Sequence, residues 1–171
     1  MSSILSSIFA SITTVAQPFA DLYASSAVMQ TSTAFMHFAG LLTGGGFAIA
    51  SDRAVWRAAR SRDVTQRRHL LEELDAVHRP VLIGLIVVFI TGFMLTAADA
   101  GTFLTSAAFW TKMGLIALLL ANGAWLGHLS KALHQNIDRG NRNWRLLLGS
   151  SAASLALWLS VTLAGVVLTN A

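Results

Sequence analysis

The chain contains no cysteine. Disulfides, thiolate metal sites and iron–sulfur clusters built on this chain are thereby excluded. Charge is scarce as well: 12% of the 171 residues are Asp, Glu, Lys or Arg, against 54% that are hydrophobic. That leaves too few polar residues to cover a soluble globule, and the composition is that of an integral membrane protein of one domain. No catalytic triad, phosphate loop, paired carboxylates or zinc motif is found. Thr43-Gly44-Gly45-Gly46 is glycine-rich, but it sits inside an apolar run with no lysine after it, so it reads as close packing. No basic segment precedes the apolar part of residues 1–30, which are therefore not read as a cleavable signal.

Long apolar runs are abundant. Spans are expected at 31–51, 81–98, 108–129 and 146–168, each close to the roughly 20 residues that cross a hydrocarbon core of about 30 Å. The expected fold is an all-α integral membrane protein, a four-transmembrane-helix bundle over residues 31–171. Residues 1–30 form an N-terminal interfacial helix and lead-in. There Ile4, Leu5, Ile8, Phe9 and Ile12 recur at helical spacing between Ser and Thr, which describes an amphipathic helix lying on the membrane surface, broken at Gln17-Pro18.

Eleven of the twelve basic residues lie in the 52–79 and 130–145 segments, which four spans place on one face. By the positive-inside rule these segments are cytoplasmic and both termini are outside, in a bacterial-type inner (plasma) membrane. The basic residues flank spans and do not alternate with aromatics, so their partner is the lipid bilayer and not nucleic acid. Asp63-Val-Thr-Gln66 resembles a capping box, and Leu70, Leu71, Leu74 and Val77 form an apolar stripe. A helix is expected here, running into the second span with a kink at Pro80.

The first span carries one ionisable group, His37. An imidazole in hydrocarbon is costly, so it should face the protein interior and find a partner. Gly40, Gly44 and Ala48 continue its face and let another helix, or a flat cofactor, approach the backbone. His37 lies about 9 Å inside the outer end of its helix. Lys112, Met94, Met113 and Asp99 are its candidate partners, although a lysine in a span also snorkels to the surface. On the third span Trp110, Gly114, Ala117, Ala121, Ala124 and His128 share one side, and this face of small residues is expected to be the packed one. His78 and His128 lie at similar depth near the inner surface. Two neutral imidazoles on neighbouring helices suit the axial positions of a haem. The same pair suits a transition metal only with a third or fourth ligand, and His69 and His134 look solvated. Lys112 is about 160° around its helix from His128, so the two serve different seams.

With Met36-His37-Phe38-Ala39-Gly40, a basic loop, Thr91-Gly92-Phe93-Met94-Leu95 and Phe109-Trp110-Thr111-Lys112 in this order, residues 31–168 resemble HemJ-type protoporphyrinogen oxidases and the related CopD-domain membrane proteins. The resemblance implies roles for His37 and Lys112 in haem binding and activity. His78 and His128 are not part of that pattern. The leading expectation is a membrane b-type haem protein with one or two haem b groups. It would transfer electrons or oxidise a lipid-soluble or tetrapyrrole substrate such as a quinone or porphyrin. His78 and His128 would hold an inner haem, and His37, with Lys112 as catalytic residue and Gly40 and Gly44 against the cofactor, an outer one. The alternatives are a CopD-like copper- or ion-handling protein, with these histidines as metal ligands, and a non-catalytic assembly subunit bound to a homo-oligomer or redox partner protein.

Overall fold

The computed structural model describes residues 2–60, 63–135 and 140–169. Arg62 and Arg139, two of the basic residues, lie outside this set, as does the side chain of Asp75. The described chain is helical except at Ser26, Asp63, Asp99 and Ser106. Every interruption is thus a serine or an aspartate, the residues whose side chains satisfy the free N–H groups at a helix start. Ser26 Oγ accepts from Met29 N at 3.3 Å, Asp63 Oδ1 from Thr65 N at 2.9 Å and Asp99 Oδ1 from Thr102 N at 3.3 Å. Six helices result: α1 (Ser2–Ser25), α2 (Ala27–Arg60), α3 (Val64–Ala98), α4 (Ala100–Thr105), α5 (Ala107–Gln135) and α6 (Gly140–Thr169). Helices α2, α3, α5 and α6 are long and apolar enough to cross a membrane.

These four form an up-down-up-down bundle. The most extensive pairings are α2 with α3 and α5 with α6; α2 also packs on α6, whereas α3 and α5 touch lightly. The register of α2 on α3 is legible in single contacts: His37 meets Thr91, Gly40 meets Val88 and Gly44 meets Gly84. A methyl group added at Gly84 would lie 2.6 Å from Gly44 N and 2.9 Å from Gly40 O, so glycine is required for this crossing. On the other side of α2, Gly45 rests against the indole of Trp158. The Gly40–Gly44 stripe is therefore filled by helix α3 and Trp158.

The largest buried cluster lies toward the Arg-rich end, where the apolar spans meet the basic segments. Val55 and Ala58 from α2, Leu70, Leu71 and Leu74 from α3, Leu129 and Leu133 from α5, and Trp144 and Leu147 from α6 form one buried cluster. The Leu70–Leu71–Leu74 stripe is buried as expected, and α3 runs without interruption through Pro80. Arg67 stacks its guanidinium 4.8 Å from the centre of the Trp144 ring, covering the cluster.

Two local expectations fail. Pro18 does not break α1, which is continuous over Ser2–Ser25 and packs on α3 and α4. A proline needs φ near −65°, which a helix supplies, and the cost falls on the hydrogen bond it cannot donate. The small-residue face of α5 is not the packed one either, because Trp110, Gly114, Ala117, Ala121, Ala124 and His128 are all exposed. Helix α5 turns Phe109, Leu119, Leu129 and Leu133 inward instead. Apolar side chains gain little by leaving lipid for protein, so small size alone does not select the packed face.

Candidate functional site

At the end of the bundle opposite the Arg-rich segments, all four long helices contribute to one level. His37 of α2 is buried, and its Nδ1 lies 2.9 Å from Thr91 Oγ1 of α3. Thr91 uses its only hydroxyl proton toward its own helix: Oγ1 donates to Val87 O at 2.6 Å. A threonine on a helix often bonds backward in this way. We assign that proton to Val87 O, which makes Oγ1 the acceptor and Nδ1 of His37 the donor; the assignment follows from the hydrogen-bond pattern. In the neutral imidazole Nε2 is then the bare nitrogen, carrying a lone pair. A metal-ligating histidine is commonly held by a hydrogen bond at its other nitrogen, which fixes the tautomer and the ring plane. Gly92, next to Thr91, faces the ring, and a methyl there would touch His37 Cε1 at 3.4 Å, an ordinary contact.

Lys112 enters from α5. Its Nζ lies over Gly165 of α6, where an added methyl would be 3.4 Å away. The lysine is partly buried, and its charge is near enough to act on the His37 ring. Helices α2 and α5 share no extensive packing and occupy opposite corners of the bundle. The register of α2 on α6, set by Gly45 against Trp158 and Asp52 against Ser151, puts Gly165 level with Phe38, so Lys112 Nζ lies at the depth of His37. An imidazole and a lysine thus share a level, each lying against a glycine of a neighbouring helix.

Thr91, the partner of His37, was not among the candidates in the sequence. It lies three residues before Met94, one turn deeper on the same helix, and Gly92 beside it is the one local hint. Met94 and Met113 are partly buried, and Asp99 is occupied as the cap of α4. His78 and His128 stand on α3 and α5, the lightly packed edge, and both are exposed. His78 precedes Thr91 by 13 residues, about 20 Å along α3, so these histidines are not brought to the His37 level. Asn122 joins α5 to α6 through two hydrogen bonds with Ser150, at 3.0 and 2.9 Å. Among the described residues no three His, Asp or Glu side chains converge as a metal site would require.

No family model matches the chain, and neither does any curated protein or solved structure. Function must accordingly be argued from this constellation.

Proposed function

We propose that the protein is a multi-pass membrane haem protein whose working centre is the His37 level, with its substrate lipid-soluble. The observation that carries this reading is the Thr91 hydrogen bond, which leaves Nε2 of a buried, inward-facing histidine free to donate. A bare transition metal needs three or four protein ligands, whereas a porphyrin brings four nitrogens of its own and asks the protein for one or two. One oriented imidazole therefore fits haem better than copper. Bound there, haem would supply one-electron redox chemistry. The chain's own share is to present Nε2 of His37, to hold the ring plane through Thr91, and to offer the Lys112 ammonium to a carboxylate on the tetrapyrrole or the substrate. His78 and His128 on the α3–α5 edge are the candidates for a second, inner haem. The HemJ-like and CopD-like resemblance supports the first site through His37 and Lys112. The basic segments support an inner-membrane orientation with both termini outside and α1 at the surface.

The test is an absorption spectrum of the detergent-purified protein, oxidised and dithionite-reduced, with a pyridine haemochrome assay. Wild type should show reduced α and β bands, and His37→Ala should lose the share that belongs to the haem at the His37 level. Full haem content in His37→Ala would overturn the assignment. A His78→Ala/His128→Ala variant that loses only part of the haem would assign those residues to a second group.

A further inference from the structure

Asp52 is the residue the haem reading does not use. It lies immediately after the apolar stretch of α2 and is 5% exposed. Ser151 of α6 donates its hydroxyl proton to Asp52 Oδ1 at 2.7 Å and also lies 3.3 Å from the Asp52 main-chain carbonyl. Ser154, one turn further along α6, is near enough to interact with the same carboxylate. Even so, Oδ2 is buried without a hydrogen bond. Val55, fully buried, closes the seam on one side, and the Gly45–Trp158 contact lies two turns away on the other.

No cation answers this carboxylate among the described residues. Arg53, next in sequence, is exposed. By the register of α2 on α3, Asp52 is level with Ala76, near which His78 and Arg79 are exposed; Asp75 is the remaining ionisable residue there. On α5, His128 and Lys131 are exposed too. On α6 the groups against the carboxylate are the two serines. A buried carboxylate with no counter-charge is strongly disfavoured, so it must be neutralised by something mobile. The atoms around it are all oxygens: two from the carboxylate, two hydroxyls and a main-chain carbonyl. Such a set suits hard cations, not transition metals. One carboxylate balances one positive charge.

We propose that Asp52, Ser151 and Ser154 form a site between α2 and α6 for one monovalent cation, a proton or a sodium ion. The site is separate from the His37 level and does not depend on haem.

The experiment is thermal unfolding of the purified full-length protein in detergent, in sodium chloride and in choline chloride, across about pH 5 to pH 9. Wild type should lose roughly 5 °C in Tm when the cation is withdrawn at the alkaline end, the size expected for losing a ligand held well above its Kd. Asp52→Asn keeps the shape without the charge and should flatten that dependence. Asp21→Asn, at an exposed position, should leave it as in wild type. Recovery of Tm by sodium at alkaline pH identifies sodium, and recovery by acid alone identifies the proton. A wild-type Tm indifferent to both, or a dependence that survives Asp52→Asn, overturns the proposal. Modification of Asp52 by a hydrophobic carbodiimide, read by mass spectrometry, gives a second readout, because the reagent needs a protonated carboxyl. Labelling should fall as pH rises or sodium is added, and labelling equal under all conditions would also overturn the site.

Discussion

Replacing Gly84 with alanine would test whether the α2–α3 crossing holds the candidate site in register. The new methyl would lie 2.6 Å from Gly44 N, 2.8 Å from Gly44 Cα and 2.9 Å from Gly40 O, all main-chain atoms that cannot rotate away. Ordinary contact begins near 3.4 Å, so the two helices must separate by about 0.8 Å at this point. Overpacking of this kind costs about 1–3 kcal/mol, and a rigid backbone neighbour puts Gly84→Ala at the upper end. The helix preference of alanine returns about 1 kcal/mol, leaving a net loss of about 2 kcal/mol. At roughly 2–4 °C per kcal/mol for a chain of this size, Tm should fall by about 4–8 °C. The control is Gly114→Ala, where nothing lies within 4 Å of the added methyl and the change should be neutral or slightly stabilising. His37 and Thr91 lie seven residues from Gly44 and Gly84, two turns along the same interface. If the separation carries over, their 2.9 Å hydrogen bond stretches to about 3.7 Å, too long to persist. Thermal unfolding in detergent measures the first effect, and the absorption spectrum proposed as the test of the His37 level measures the second. Equal Tm values for Gly84→Ala and Gly114→Ala would refute the reasoning.

The end cluster yields three further expectations. Leu71→Ala removes a fully buried side chain and should cost about 2–5 kcal/mol, whereas Leu163→Ala, at a residue that is 65% exposed, should change the unfolding midpoint little. Arg67→Ala removes the cation–π contact with Trp144 and should cost about 0.5–2 kcal/mol, with a change in tryptophan emission. Asp63→Ala removes the cap on Thr65 N and should cost about 1 kcal/mol, read as earlier loss of helical circular dichroism on heating.

The parts legible in the sequence were those set by periodicity and capping chemistry. Four apolar runs became four long helices, Asp63 became a cap, and Leu70, Leu71 and Leu74 went inward because only one face of a helix outside lipid can be buried. His37 is buried, as anticipated for an imidazole in an apolar helix. The small-residue face of α5 misled because lipid and protein are equally apolar solvents for Gly and Ala. The Gly40–Gly44 stripe, expected to lie against a cofactor, is instead met by α3 and Trp158, because sequence leaves the identity of its neighbour open. Asp52 was overlooked because it adjoins Arg53 and looks like an ordinary flank. Its only signal is distant: Ser151 and Ser154 on one side of another helix, within hydrogen-bonding chemistry of a carboxylate but 99 residues away in the case of Ser151.

The uneven seams between the helix pairs set how the bundle can move. Helices α2 and α6 are joined by the Asp52–Ser151 bond and the Gly45–Trp158 contact, while α3 and α5 meet lightly. The pairs α2–α3 and α5–α6 are thus two covers bound along one spine. A rotation of one pair against the other about α2–α6 is the motion these seams would resist least, and with helix axes 8–10 Å apart a turn of 10° would widen the α3–α5 edge by about 1.7 Å away from α4. The α3–α5 edge is thus the line along which the two pairs part most readily, tied at one end by the short helix α4 that links them.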